Sequence, residues 1–252
     1  MIARTKKHFA RLTLFLLDTL GINAAFRLLN SKKILVVWYH GVCDNGFDLL
    51  KGYDERHVPM SVFRNQLEFL KKKGYVFVTA SELVEVLKQK NAVRKLALIT
   101  FDDGYRNVIE NAYPVMRELK VKGCLYVVSN MIGTQHPLWT DHVETMIRDC
   151  GLDNFAFLFK GQEIVYRLDS ALARQVAMKD IKRKLRSISD KERDAHLQQF
   201  DGKPNATPAE FLFAGWEQLT SVDPETLEIG SHTRNHPDCG RQIGRASCRE
   251  RV

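Results

Sequence analysis

Leu98-Ile99-Thr100-Phe101-Asp102-Asp103-Gly104 is the stretch from which the rest of the chain is read. Counted from Leu96, six apolar or β-branched residues predict a buried strand. That strand runs into two adjacent carboxylates, a glycine and then a helix. Neighbouring residues on a strand point to opposite faces, so the two acids reach one place only if the chain turns. Gly104 permits the turn. In parallel α/β folds the carboxyl ends of strands are where sites assemble. Two charges at the end of an apolar strand are costly without a partner, and a cation is the natural one. The competing reading is a solvent-facing turn with one Asp capping the helix, which leaves the other acid unexplained.

Working outward, strands and helices alternate. Residues 34–39 are a continuous apolar run, expected to be a strand buried on both faces. Residues 61–73 predict a helix with Phe63, Leu67 and Leu70 on its inner face and Gly74 ending it. A short strand over 75–79 leads to a helix opened by Ser81 and Glu82. Residues 105–120 read as helical, broken or tightened by Pro114, and 124–128 as the next strand. This β–α repetition predicts parallel strands, in an open doubly wound sheet or a barrel. From 141 to about 200 the alternation stops. Charged helices are expected over 171–186 and 190–200, with no strand before Leu227-Glu228-Ile229-Gly230, so that 141–213 reads as a helical insertion. Residues 205–208 read as a loop and 215–219 as a short helix.

A second signal follows that strand: Ser231-His232-Thr233-Arg234-Asn235-His236-Pro237. Histidines four apart share one side if the chain makes a helical turn there. Alone, the pair is equally a chance coincidence on a loop. Joined to the first signal it makes an inventory. Two imidazoles and one carboxylate are three protein ligands with a position left for water, the arrangement of a catalytic zinc site. The second carboxylate is then free as general base. His40 ends the first strand at the same rim; it contacts substrate or supports the base, or it is a half-buried histidine bonded to a neighbour. His57, His136 and His142 read as structural or solvated.

Thr100-Phe101-Asp102-Asp103-Gly104, followed much later by His232-Thr233-x-x-His236, resembles the NodB-homology polysaccharide deacetylases, carbohydrate esterase family 4. Trp38-Tyr39-His40-Gly41-Val42, Pro137-Leu138-Trp139 and Gly215-Trp216-Glu217-Gln218-Leu219 are similar to neighbouring segments of that family. The resemblance runs from about 34 to 242. It implies an α/β fold, a distorted (β/α) barrel of the glycoside hydrolase/deacetylase type with a helical insertion, and hydrolytic removal of N-acetyl groups from N-acetylhexosamine glycans. Carried over by motif, Asp102 is the general base, and Asp103, His232 and His236 are the metal ligands. The cofactor is a divalent metal, Zn2+ by its donor set, with Co2+, Ni2+ and Fe2+ as alternatives. A non-catalytic carbohydrate-binding or scaffolding relative of the barrel is the alternative function.

Charge separates the chain into parts. Across 252 residues, 38 Lys and Arg oppose 30 Asp and Glu, a net of +8. Residues 1–33 hold seven basic residues (Arg4, Lys6, Lys7, Arg11, Arg27, Lys32, Lys33) against Asp18 alone, hence +6. Residues 243–252 (IGRASCRERV) contribute +2, leaving the body at zero. A nucleic-acid binder would need a basic domain, and there is none. The last ten residues resemble the conceptual translation of a sequencing-library adapter and are expected to be foreign. On that reading the barrel lacks its last part, including its general acid, and the chain is poorly stable and inactive. Cys43, Cys124, Cys150 and Cys239 are too scattered for a zinc knuckle or disulfide framework. In residues 1–33 an apolar stripe (Leu12, Phe15, Leu16, Thr19, Ile22, Phe26, Leu29) lies between basic flanks. It reads as a helix on an anionic membrane surface, or as one packed on its own domain or a second subunit. The expected partner is an N-acetylated glycan, and the expected location the cytoplasm or the cytoplasmic face of the membrane.

Overall fold

The computed structural model describes residues 13, 16–17, 19–30, 33–44, 56–89, 95–200, 207 and 209–237. The expectations for the first twelve residues and for 238–252 lie outside the described residues. Helix α1 (Ile22–Leu29) precedes strands β1 (Leu35–Tyr39), β2 (Gly41–Cys43) and β3 (His57–Pro59). Then come α2 (Met60–Lys72), β4 (Val76–Phe77), α3 (Ala80–Lys88) and β5 (Leu96–Phe101). A π-helical turn (Val108–Ala112) runs into α4 (Tyr113–Leu119), and β6 (Gly123–Val127) follows. Pro114 sits in the first turn of α4, where its missing N–H costs least. The expected 105–120 helix therefore exists but changes winding just ahead of the proline.

All pairings of the main sheet are parallel, in the order β1-β5-β6-β9, with β4 on the start of β5; β9 is Leu227–Ser231. Alternation along β5 sends Ala97, Ile99 and Phe101 to one face. There they pack with Leu125 and Leu227 of neighbouring strands against Phe63 and Leu67 of α2 and Val115 and Met116 of α4. The capping box at α3 is formed by Thr79 and Glu82, two residues ahead of the expected start at Ser81.

The first strand differs from expectation. Only Leu35, Val37 and Tyr39 meet this core; Val36 and Trp38 are 55% and 61% exposed. β1 ends the strand order among the described residues, and helices cover only one of its faces. Continuous apolarity was therefore not a sign of two-sided burial.

The insertion also differs. After α5 (Trp139–Asp149) the chain forms a β-hairpin, β7 (Asn154–Phe159) and β8 (Gln162–Arg167), before α6 (Ala171–Arg186) and α7 (Asp190–Leu197). The strands that the sequence reading denied are written in Phe155-x-Phe157-x-Phe159, a period of two, and in Lys160-Gly161, whose φ values of 52° and 79° suit a two-residue hairpin turn. Phe157, Leu168, Ile181 and Phe200 join Val143 and Ile147 in a second core. The chain returns through α8 (Trp216–Ser221) to β9.

Candidate metal centre

The site forms where β5 and β9 end side by side with β6 between them. The N–H of Asp102 still donates to Tyr39 O at 3.0 Å, extending the β1 ladder one residue beyond Phe101. Asp103 then takes a left-handed conformation, φ 73°, and Gly104 follows at 93°. A Cβ on Gly104 would sit 3.1 Å from Val127, so only glycine fits both the space and the dihedral. This reversal brings two consecutive carboxylates to one rim, which a continuing strand forbids.

Asp103 is 3% exposed. Its Oδ1 lies 3.4 Å from His236 Nε2 and 3.6 Å from His232 Nε2, and its Oδ2 lies 3.9 Å from His40 Nε2. Ligand atoms of Asp103, His232 and His236 all fall within 4.8 Å of one another. Among the described residues neither Asp103 Oδ1 nor His236 Nδ1, both buried, has a hydrogen-bond partner. Burial pushes the Asp103 carboxyl up to about 7, Asp141 adding to the rise and Arg56 opposing it. Burial and the neighbouring His232 push His236 down to about 4. Two nitrogens and one buried, unpartnered oxygen converging in this way fit a divalent cation of the zinc type.

His232 is placed by the sheet. Its N–H donates to Val127 O at 2.8 Å, one step past Ser231 on the β6–β9 ladder. No helical turn follows, so the condition on which spacing of four would align the rings is not met. Thr233 and His236 adopt φ of 68° and 52°, and the N–H of His236 donates to Thr233 Oγ1 at 3.1 Å. The loop is tied back where Ser129 N–H donates to Thr233 O and Asn130 N–H to Arg234 O. Left-handed residues, not helical periodicity, bring the two rings to 5.2 Å.

Asp102 Oδ2 accepts from Trp38 Nε1–H at 2.8 Å and lies 4.0 Å from His232 Nε2. The Trp38 ring packs tilted against His40, centroids 4.7 Å apart, so that His40 lies beside Trp38 and within 3.9 Å of Asp103. Sequence reasoning passed over Trp38. Its role follows from the β1–β5 register, in which Trp38 pairs with Thr100 and so shares its face with the residue two further on. Also missed was a buried polar cluster behind Asp103. Tyr105 Oη donates to Asp141 Oδ2 at 2.8 Å, Arg56 pairs with Asp141 at 2.5 Å and with Glu144 at 3.2 Å, and Lys182 pairs with Glu144 at 2.7 Å. Burial drives the Tyr105 phenol well above its ordinary range. His57 is buried against Tyr105 and Phe211, His142 contacts Phe200, and His136 is exposed.

The sequence profile of the family described as "Polysaccharide deacetylase" matches residues 89–251. The putative polysaccharide deacetylase YxkH of Bacillus subtilis is 29% identical over 115 residues, covering 45% of this chain and 38% of that protein. A poly-beta-1,6-N-acetyl-D-glucosamine N-deacetylase of Staphylococcus aureus is 27% identical over 79 residues, covering 31% of this chain and 27% of that protein. The matches thus span well under half the length of these curated relatives. Among solved structures, a de-N-acetylase from Aggregatibacter actinomycetemcomitans superposes over 80% of this chain and 55% of its own, with a TM-score of 0.43 and 16% identity. A Streptococcus pyogenes deacetylase in complex with acetate covers 81% of this chain and 58% of its own, with a TM-score of 0.41 and 16% identity.

Proposed function

The chain belongs to the polysaccharide deacetylase family, and from that premise we propose that it is a metal-dependent hydrolase removing N-acetyl groups from N-acetylhexosamine residues of a bacterial polysaccharide or lipid-linked glycan. The parallel sheet with its outer helices is the α/β, distorted (β/α) barrel architecture of the family; among the described residues the sheet is not closed. One observation carries the reading: a three-ligand cluster of buried Asp103 and half-buried His232 and His236, beside a second carboxylate that does not belong to it. The name of the S. aureus relative supports an N-acetylglucosamine polymer as the substrate class.

Asp103, His232 and His236 would hold the cation. When bound, it supplies Lewis-acid polarisation of the acetamide carbonyl and acidifies water, and zinc, cobalt, nickel and iron all suit the donor set. The chain's own residues do the rest. Asp102 takes the proton of the attacking water on its carboxylate. Trp38 Nε1–H, held on Oδ2, fixes the plane of that carboxylate. Water oxygen bonds to the acetyl carbon, the C–N bond breaks, and the amine leaves with a proton while acetate is released. His40, packed against Trp38 at the same rim, would meet the sugar side of the substrate.

The test is acetate release from N-acetylglucosamine oligomers, read together with bound metal. Asp103→Ala is expected to lose both metal and turnover. Asp102→Asn is expected to keep the metal and lose roughly 100- to 10,000-fold in rate. An Asp102→Asn chain as active as the parent overturns the assignment of the base. Metal and oligomer both bound without acetate release would favour a carbohydrate-binding relative.

A further inference from the structure

We propose that α1 (Ile22–Leu29), with Leu16 and Leu20 ahead of it, is a peripheral anchor that lies in the plane of an anionic lipid bilayer. Among the described residues, six large apolar side chains of this segment are exposed. Leu16, Leu20, Ile22, Phe26, Leu28 and Leu29 are between 48% and 83% exposed. Within α1, Ile22, Phe26 and Leu29 stand at the i, i+4, i+7 spacing of one helix face. Leu20 N–H donates to Leu16 O at 3.0 Å, so one helical turn precedes Gly21, which bends the chain at φ 71° before α1 begins.

Exposure and charge together select the occupant. Among the described residues nothing covers this face of α1. No helix among the described residues is long and apolar enough to cross a membrane, so the segment lies on a bilayer rather than through it. A second copy is disfavoured by charge. Residues 1–33 carry seven basic residues and one acid, and pairing two such segments sets like charges together. Anionic headgroups instead neutralise those flanks while the stripe enters the acyl boundary. The body of the chain, residues 34–242, is neutral and residues 243–252 add +2, so most of the net positive charge, +6 of +8, lies in residues 1–33. The inference does not depend on the deacetylase reading.

Co-sedimentation of the full chain with vesicles tests it. Binding is expected to vesicles of about 30 mol% phosphatidylglycerol and not to pure phosphatidylcholine, and to weaken about tenfold or more as salt screens the flanks. Phe26→Ser with Leu29→Ser is expected to lower binding by at least about tenfold, the side chains being exposed and the circular dichroism unchanged. Lys32→Glu with Lys33→Glu is expected to remove the preference for anionic vesicles. Absence of binding to either vesicle overturns the proposal. So does binding indifferent to these substitutions, or a dimer in solution that the Ser variants dissociate without any vesicle binding in the parent.

Discussion

Asp103 is asked to be buried, to adopt a left-handed backbone and to carry charge beside another carboxylate. Each of these is unfavourable alone, and together they mark the residue as one that needs a cation. Without one, the carboxyl holds its proton up to a pH of about 7. That proton must leave before the oxygen can ligate, so cation uptake and proton release are linked. Below about pH 7, affinity for zinc is expected to fall about tenfold per pH unit, and above it to level off. Calorimetry in two buffers of different ionisation enthalpy should count close to one proton released per zinc at pH 6. Release of none would mean that the empty site already holds an ionised Asp103. The two aspartates were legible because adjacent acids at the end of an apolar strand have no ordinary structural use. Trp38 was not legible in the same way: its role needs the β1–β5 register, which one strand's sequence does not state.

Among elements, β9 does the most positioning. Its pairing with β6 continues through His232, so the first histidine inherits the rigidity of the sheet. Gly230 pairs with Tyr126 across that ladder, and a Cβ there would lie 2.6 Å from the tyrosine ring. The ring lies over the glycine, and the strand can hold its register only while the space stays open. Gly230→Ala is expected to destabilise the chain by about 1–3 kcal/mol and to weaken zinc binding with it, because His232 sits two residues along. An unchanged denaturation midpoint together with unchanged affinity would mean that Tyr126 swings aside freely. The strands of the parallel sheet could be read from sequence because apolar runs bounded by turns admit little else. The β7–β8 hairpin was hidden by the charged helices around it, although Phe155, Phe157 and Phe159 alternate and Lys160-Gly161 is a hairpin turn. The His232 to His236 loop was read with the wrong geometry. Spacing of four fits a helical turn, and only backbone dihedrals reveal the left-handed residues that replace it.

At the scale of the whole molecule, two hydrophobic cores meet through charge. The sheet core and the insertion core are separate clusters, and between them Arg56, beside β3, reaches Asp141 and Glu144 on α5, with Lys182 of α6 completing the set. Asp141 is fully buried and Glu144 is 1% exposed. Desolvating such charges offsets most of their attraction, so the intact cluster adds little net stability, while an incomplete one is expensive. Arg56→Met is therefore expected to cost about 3–5 kcal/mol, because among the described residues it leaves Asp141 with Tyr105 and Thr140 as its side-chain partners. The same cation holds down the Asp103 carboxyl, which Asp141 pushes up. Its loss should therefore also weaken zinc binding at neutral pH. Adding Asp141→Asn to Arg56→Met removes the uncompensated charge from both places at once. The double variant is expected to recover more than half of the lost stability, and to bind zinc more tightly than Arg56→Met alone. Urea denaturation with and without zinc measures both. A single variant within about 1 kcal/mol of the parent, or a double variant no better than the single, would show that water reaches this cluster and that the two cores are joined by their apolar contacts instead.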